Sequence, residues 1–419
     1  MSSFCTLLRS TAMAVSLAAL WPLAQAAPFT PASDAEVVER LPTRLVGAEQ
    51  RREERRERAM LRQQPALLPL ALRSAREAID RARALGDPRE LGQAQAALAP
   101  WWVLPEPPPP VRLMRAIVRQ SQHDFAASLT DLDALLEPRR EVPVPVRAQA
   151  ELTRATVLQV QGRWADAAAG CLRLEGPAYA ALGEAVQRPA RVCSAELLSL
   201  QGRPREAEAL LQPLLRQAGE GDAWLTLVRA EMADRRGDPQ AGELYRQALA
   251  TQSDVYTLAA YADWLLAQQR APEAARLLAG REEADALLLR LAIAWQRGGD
   301  PRATAAIATL GERFAASAQR GDAGHEREQA MFALHLQNRP AEALRLAQVN
   351  FAKQKEPVDA MLLLAAAEAA GQPAAAEPVR RFAQASGWVD KRLAQRPAAP
   401  TAAVQAAARP DLLSWNDTP

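Results

Sequence analysis

Nine short turn motifs recur along the chain, and their spacing constrains the fold more than any other feature. Gly86, Asp87 and Pro88 return as Gly237, Asp238 and Pro239, and again as Gly299, Asp300 and Pro301. Close variants open at Gly202, Asn338 and Gly371, each followed two residues later by Pro. Three more open at His123, Gly162 and Gln269 and lack the Pro. The chemistry suits a tight helix–helix turn. Gly or Asn takes the left-handed conformation that ends one helix. Asp accepts from the free N–H groups of the next helix, and Pro fits its first position, where no hydrogen bond is lost. Successive anchors lie 30 to 40 residues apart, with a mean just under 36. A period of that length signals stacked helical hairpins.

Each unit reads as two helices. Before the turn, apolar side chains recur at helical spacing, as in Leu225, Val228 and Met232, or Leu258, Tyr261 and Leu265. Five residues after the anchor comes a small residue: Ala167, Ala207, Gly242, Ala274, Thr304, Ala343 or Ala376. A small side chain there lets helices approach closely. Trp264 and Trp295 fall on core positions. The expected fold class is therefore all-α, an α-solenoid of about nine hairpins over residues 67–393. Aromatic residues are only 5% of the chain, fewer than a β-sandwich would want.

The pattern resembles the tetratricopeptide repeat family, with the unit Ala155, Leu158, Gly162, Trp164 and Ala167 matching best. Other units depart from it, often carrying Pro where the family has an aromatic residue. The resemblance implies a right-handed superhelix with a concave groove lined by first helices. It also implies that the groove binds a protein partner, an extended segment or a helix. Carried over residue by residue, the groove positions are Trp224, Glu231, Asp234 and Arg235 in one unit, Tyr256 and Asp263 in the next, then Gln296 and Arg297. For Trp224 and Tyr256, packing between adjacent first helices is an equal alternative.

The flanks read differently. Arg9 is followed by an apolar stretch from Thr11 to Leu20 and by Ala24, Gln25 and Ala26, an expected signal peptide over 1–26. Pro22 and the shortness of the stretch argue against a spanning anchor. The expected location is the periplasm or the exterior, with no membrane span after cleavage. Residues 27–66 form an extension with a charged helix around Arg51–Arg58, and 394–419 an Ala/Pro-rich tail ending in Leu412, Leu413 and Trp415. Pro105 and Pro107–Pro110 read as a stiff extended connector. Cys171 and Cys193 remain after cleavage, 22 positions apart. They can pair in an oxidising compartment or stand as separate buried thiols, and the spacing leaves both open.

Little in the chain points to catalysis. Three histidines and three cysteines leave no cluster spaced for a metal or a haem. Nucleotide-binding and hydrolase motifs are missing, so no cofactor and no catalytic residue are expected. His325 and His335 share a helix face but read as packing residues. Lys and Arg total 51 against 49 Asp and Glu, which argues against nucleic-acid binding through bulk charge. The expected function is an exported, non-enzymatic adaptor in an envelope-associated complex. The alternative is an envelope enzyme or polysaccharide-handling factor that surrounds its substrate. That alternative expects carboxylates converging in one closed pocket.

Overall fold

The computed structural model describes residues 48–395 apart from 65, 219–220 and 321–325, together with residues 33 and 35. The expected signal peptide, His325 and the tail from 396 onward lie outside the described residues. The chain divides into a small unit, Met1–Leu41, and the unit Pro42–Pro419, which carries all the described helices.

α1 (Ala48–Gln63) precedes the first hairpin, α2 (Leu68–Leu85) with α3 (Arg89–Ala97). After the short α4 (Ala99–Trp102) come α5 (Pro109–Ser121) with α6 (Phe125–Leu136), and α7 (Val144–Val160) with α8 (Trp164–Leu174). Next stand α9 (Glu184–Leu200) with α10 (Pro204–Ala218), and α11 (Ala223–Arg236) with α12 (Ala241–Thr251). α13 (Val255–Ala267) pairs with α14 (Ala271–Leu278), and α15 (Asp285–Arg297) with α16 (Arg302–Arg320). α17 (Glu326–His335) pairs with α18 (Pro340–Lys353), and α19 (Pro357–Ala369) with α20 (Glu377–Ser386). α21 (Lys391–Ala394) ends the series, and no strand occurs among the described residues.

The nine sequence anchors are the nine hairpin turns. Every one has a left-handed backbone, with φ between 54° and 79°. His123, Gln269 and Asn338 are the residues other than Gly with positive φ among those described. The N–H after the anchor reaches back to close the helix end, as in Arg163 to the Leu158 carbonyl (2.8 Å) and Asp238 to that of Ala233 (2.9 Å). Asp238 and Asp300 then accept from the N–H groups of Gln240 and Arg302, at 2.9 and 3.0 Å.

Each hairpin leaves an apolar side that it cannot bury alone, so neighbours stack. Ala167, Ala207, Ala274 and Ala343 are fully buried where the helices cross. At Gly242 the Trp264 indole fills the space a Cβ would need. Thr304 is a correction: it is exposed, and Ala303 takes the buried position. The proline run is a second correction. Pro109 and Pro110 open α5 instead of forming a spacer, because proline is well suited to a helix's first turn.

The superhelix closes on itself. The hairpin turns of the first half abut residues from the second. Gly86 meets Val255, Gly162 meets Phe382 and Lys355, Gly202 meets Val389, and Gly237 meets Lys391. The Lys355 N–H donates to the Val160 carbonyl (2.7 Å), and the Val389 N–H to that of Leu200 (2.8 Å). Gln354 bonds His123 at 3.2 Å, and the Phe382 ring stands edge-on to Trp164 at 5.2 Å. Segment 354–395 therefore lies across the turns of the early hairpins and walls off the concave side.

Candidate functional site

The wall of first helices encloses a cavity of about 600 Å³. α7, α9, α11, α13, α15 and α17 contribute to it, with Arg83 from α2, Trp164 from α8, Tyr245 from α12, residues 355–358 and Arg392. Six of the eight groove candidates line it: Trp224, Glu231, Asp234, Arg235, Tyr256 and Asp263. Trp224 and Tyr256 keep 44% and 59% of their surface, so neither is buried between adjacent helices. Tyr256 is open to water yet stands inside a concavity walled by protein.

Gln296 and Arg297 lie outside the cavity, exposed at the end of α15. α15 lends only Ala286 and Arg290 to the cavity, from its first half. Gln296 is six residues, or roughly 9 Å, beyond Arg290 along the helix. Arg297 instead donates to the Leu266 carbonyl of α13 (2.9 Å).

Sequence reasoning missed Glu196, Arg290, Arg327, Lys355, Glu356 and Arg392. For Glu196 a signal was present. Thr156, Glu196, Glu231 and Asp263 each stand six residues before their turn anchor. The same offset on adjacent helices, roughly 8–10 Å apart, draws a row of polar groups along one wall. Arg290 lies on α15, further along the same wall, and Arg327, Lys355, Glu356 and Arg392 come from the C-terminal hairpins and segment, which no local pattern places there.

Ion pairs occupy several of these groups. Arg290 holds Asp263 with two bonds, at 2.6 and 2.8 Å. Arg392 is shared between Asp390 (2.7 Å) and Asp234 (3.0 Å). Arg327 is shared between Glu356 and Asp359. Glu196 and Glu231 make no ion pair among the described residues. Arg235 lies near both, but its guanidinium reaches only the Ser199 hydroxyl, at 3.4 Å, and its Nε has no partner.

Glu196 and Glu231 feel this setting. Burial pushes Glu231 up to about 7; Arg235 opposes the shift, the Glu196 charge adds to it, and the Tyr256 hydroxyl bond opposes it. Burial also raises Glu196, against the pull of Arg235. Asp234 is raised by burial despite Arg392. The neighbouring Glu231 charge, then burial, hold the Tyr256 phenol well above its usual range. The cavity thus keeps a carboxyl near half-protonation at neutral pH.

Cys171 of α8 and Cys193 of α9 are joined by a disulfide, with Cα atoms 6.1 Å apart. Cys193 is part of the cavity wall, so the bridge ties that wall to the outer helix layer. His335 is half-buried on α17, and burial lowers its pKa. Among the described residues no group of three or more His, Cys, Asp or Glu side chains is placed to hold a metal ion. No described helix is long and apolar enough to cross a membrane.

No family model matches the chain. No curated protein matches it either. Among solved structures, the crystal structure of the APC/C hetero-tetramer Cut9-Hcn1 is similar at 13% identity, covering 82% of this chain and 79% of that one, with a TM-score of 0.26. A likeness at that score carries no argument, and the hairpin architecture rests on the helices and turns themselves.

Proposed function

We propose that this protein is an exported, non-enzymatic binding protein that holds a short polypeptide segment in the cavity of its helical-repeat superhelix. The observation that carries the reading is the convergence of Trp224, Glu231, Asp234, Arg235, Tyr256 and Asp263 on one walled space. Two exposed aromatic side chains beside satisfied ion pairs suit a binding hot spot. Size narrows the occupant. One turn of α-helix with its side chains fills roughly 400–600 Å³, from a 10–12 Å diameter and a 5.4 Å pitch. A cavity of about 600 Å³ suits a short extended segment or a chain end.

The test places a photo-crosslinking amino acid at Tyr256 in the exporting cells and identifies the adduct by mass spectrometry. A single recurrent protein segment supports the reading. Crosslinking no different from that of a probe on the outer surface, at Leu172, overturns it. The export claim is checked separately, by the intact mass of the protein recovered outside the cytoplasm, which should begin after Ala26 or Ala27.

A second reading, a polysaccharide-handling enzyme, gains from the six carboxylates that line the cavity and from a glutamate titrating near neutrality. It requires release of soluble products from cell-wall polysaccharide, abolished in Glu231→Gln. Absence of product release by the wild-type chain rules it out.

A further inference from the structure

We propose that the cavity selects a segment carrying a basic side chain, Lys or Arg, seated against the carboxyls of Glu231 and Glu196 and the ring of Tyr256. This rests on the polypeptide reading above and names the chemistry of the segment.

Charge complementarity carries the inference. Six carboxylates and six cations line the cavity: Glu196, Glu231, Asp234, Asp263, Glu328 and Glu356 against Arg83, Arg235, Arg290, Arg327, Lys355 and Arg392. Two of those arginines also serve carboxylates set just behind the wall. Arg392 binds Asp390, and Arg327 binds Asp359. Arg290, Arg327 and Arg392 hold Asp263, Glu356, Asp359, Asp234 and Asp390, while Glu196, Glu231 and Glu328 stay outside these pairs, as do Arg83, Arg235 and Lys355. Of the carboxyls outside them, Glu196 and Glu231 stand near each other on adjacent helices, with only Arg235 close to both. A second cation there relieves a repulsion that Arg235 alone does not cancel, since it comes within ion-pair distance of neither.

The aromatic side chains say what kind of cation fits. The Tyr256 hydroxyl donates to Glu231 at 2.8 Å, which fixes the ring beside the carboxyl. No cation stands over that ring among the described residues, whereas Arg188 already stands 5.9 Å from the Trp224 centroid. A ring face next to a carboxylate is the setting that attracts an ammonium or guanidinium group. The apolar wall formed by Leu152, Val255 and Ala259 would cover the aliphatic stem of such a side chain. A hard metal ion would want several carboxylates closing on one point, and no such group occurs among the described residues.

The test uses the full exported chain and three acetylated, amidated heptapeptides of Ala and Leu that differ only at the centre: Lys, norleucine or Glu. Binding is followed by isothermal titration at pH 8 in low salt. The Lys peptide should bind at least about tenfold tighter than the norleucine peptide, and the Glu peptide more weakly than either. In Glu231→Gln, and separately in Glu196→Gln, the Lys-to-norleucine ratio should fall towards one. Equal binding of Lys and norleucine peptides overturns this inference and leaves the polypeptide reading standing. So does a preference that survives both substitutions. Binding of none of the three, with no crosslinked partner from Tyr256, removes both.

Discussion

The Tyr256 hydroxyl donates a 2.8 Å hydrogen bond to Glu231, joining α13 to α11 in the wall of the cavity. The bond favours the ionised carboxyl, yet burial and the Glu196 charge win, and Glu231 titrates at about 7. The folded chain therefore binds a proton that the unfolded chain releases near pH 4.5. Stability from this group is fully present below that value and is lost as pH rises to about 7 and beyond. The largest possible loss is about 3 kcal/mol, since each pH unit between the two titrations is worth about 1.4 kcal/mol, and access of water to the cavity reduces it. Asp359, raised by burial to about 6, adds to the same trend. Glu231→Gln should thus be more stable than wild type by about 1–2 kcal/mol at pH 8 and nearly equal to it at pH 4.5. Urea unfolding at the two pH values measures this, and a pH-independent difference would contradict the assignment.

Arg392 links the last helix to the first half of the superhelix. It contacts Asp234 on α11 at 3.0 Å and Asp390 at 2.7 Å, and Asp390 is buried. Arg392→Ala leaves both carboxylates without their cation. Breaking a fully buried pair costs about 3–5 kcal/mol, but Arg392 keeps a third of its side-chain surface, so about 2 kcal/mol is expected. The closing segment should loosen first. Hydrogen exchange at the Val389 amide, which bonds the Leu200 carbonyl, should rise well before exchange in α11. Uniform acceleration through both halves would mean that the pair stabilises the whole superhelix and not its closure.

The bridge between Cys171 and Cys193 closes a loop 22 residues long. In the chain-entropy model such a loop is worth about 3 kcal/mol. Cys171→Ser should lower stability by about that amount, and reductant should lower wild type by the same amount while leaving the variant unchanged. Unfolding curves with and without reductant decide it. A wild-type curve insensitive to reductant, with two thiols free by mass spectrometry, would remove the bridge from the exported protein.

The hairpins are legible in the sequence because a turn is local chemistry. A left-handed residue, a cap and a proline sit within three positions, so Gly86, Gly237 and Gly299 announce themselves. The same offsets that mark Glu231 and Asp263 also pick out Glu196. The closure of the superhelix is not legible. It depends on small rotations at each stacking interface, accumulated until Lys355 meets Val160 and Arg392 meets Asp234. No single unit records that sum. Repeat logic alone therefore predicts a long, open groove, and it carries Gln296 and Arg297 over to a wall that the cavity does not reach.

Two glycines with the same backbone separate the cost of a turn from the cost of closure. Gly371 has φ +66° with no atom within 4 Å of an added Cβ, whereas Gly202 has φ +72° with Val389 Cγ2 at 2.7 Å. Alanine at either site must adopt the left-handed conformation, at about 1–2 kcal/mol. At Gly202 it must also push Val389 away, which disturbs that residue's amide bond to the Leu200 carbonyl. Gly371→Ala should therefore cost about 1 kcal/mol and Gly202→Ala about 2–3 kcal/mol. The reverse change checks the turn component. Gln269 is left-handed at φ 58°, and Gln269→Gly should stabilise by about 0.5–1 kcal/mol after the added freedom of the unfolded chain is counted. Unfolding free energies for the three variants test the set. Equal costs at Gly202 and Gly371 would show that the C-terminal segment does not press on the turns of the early hairpins in solution.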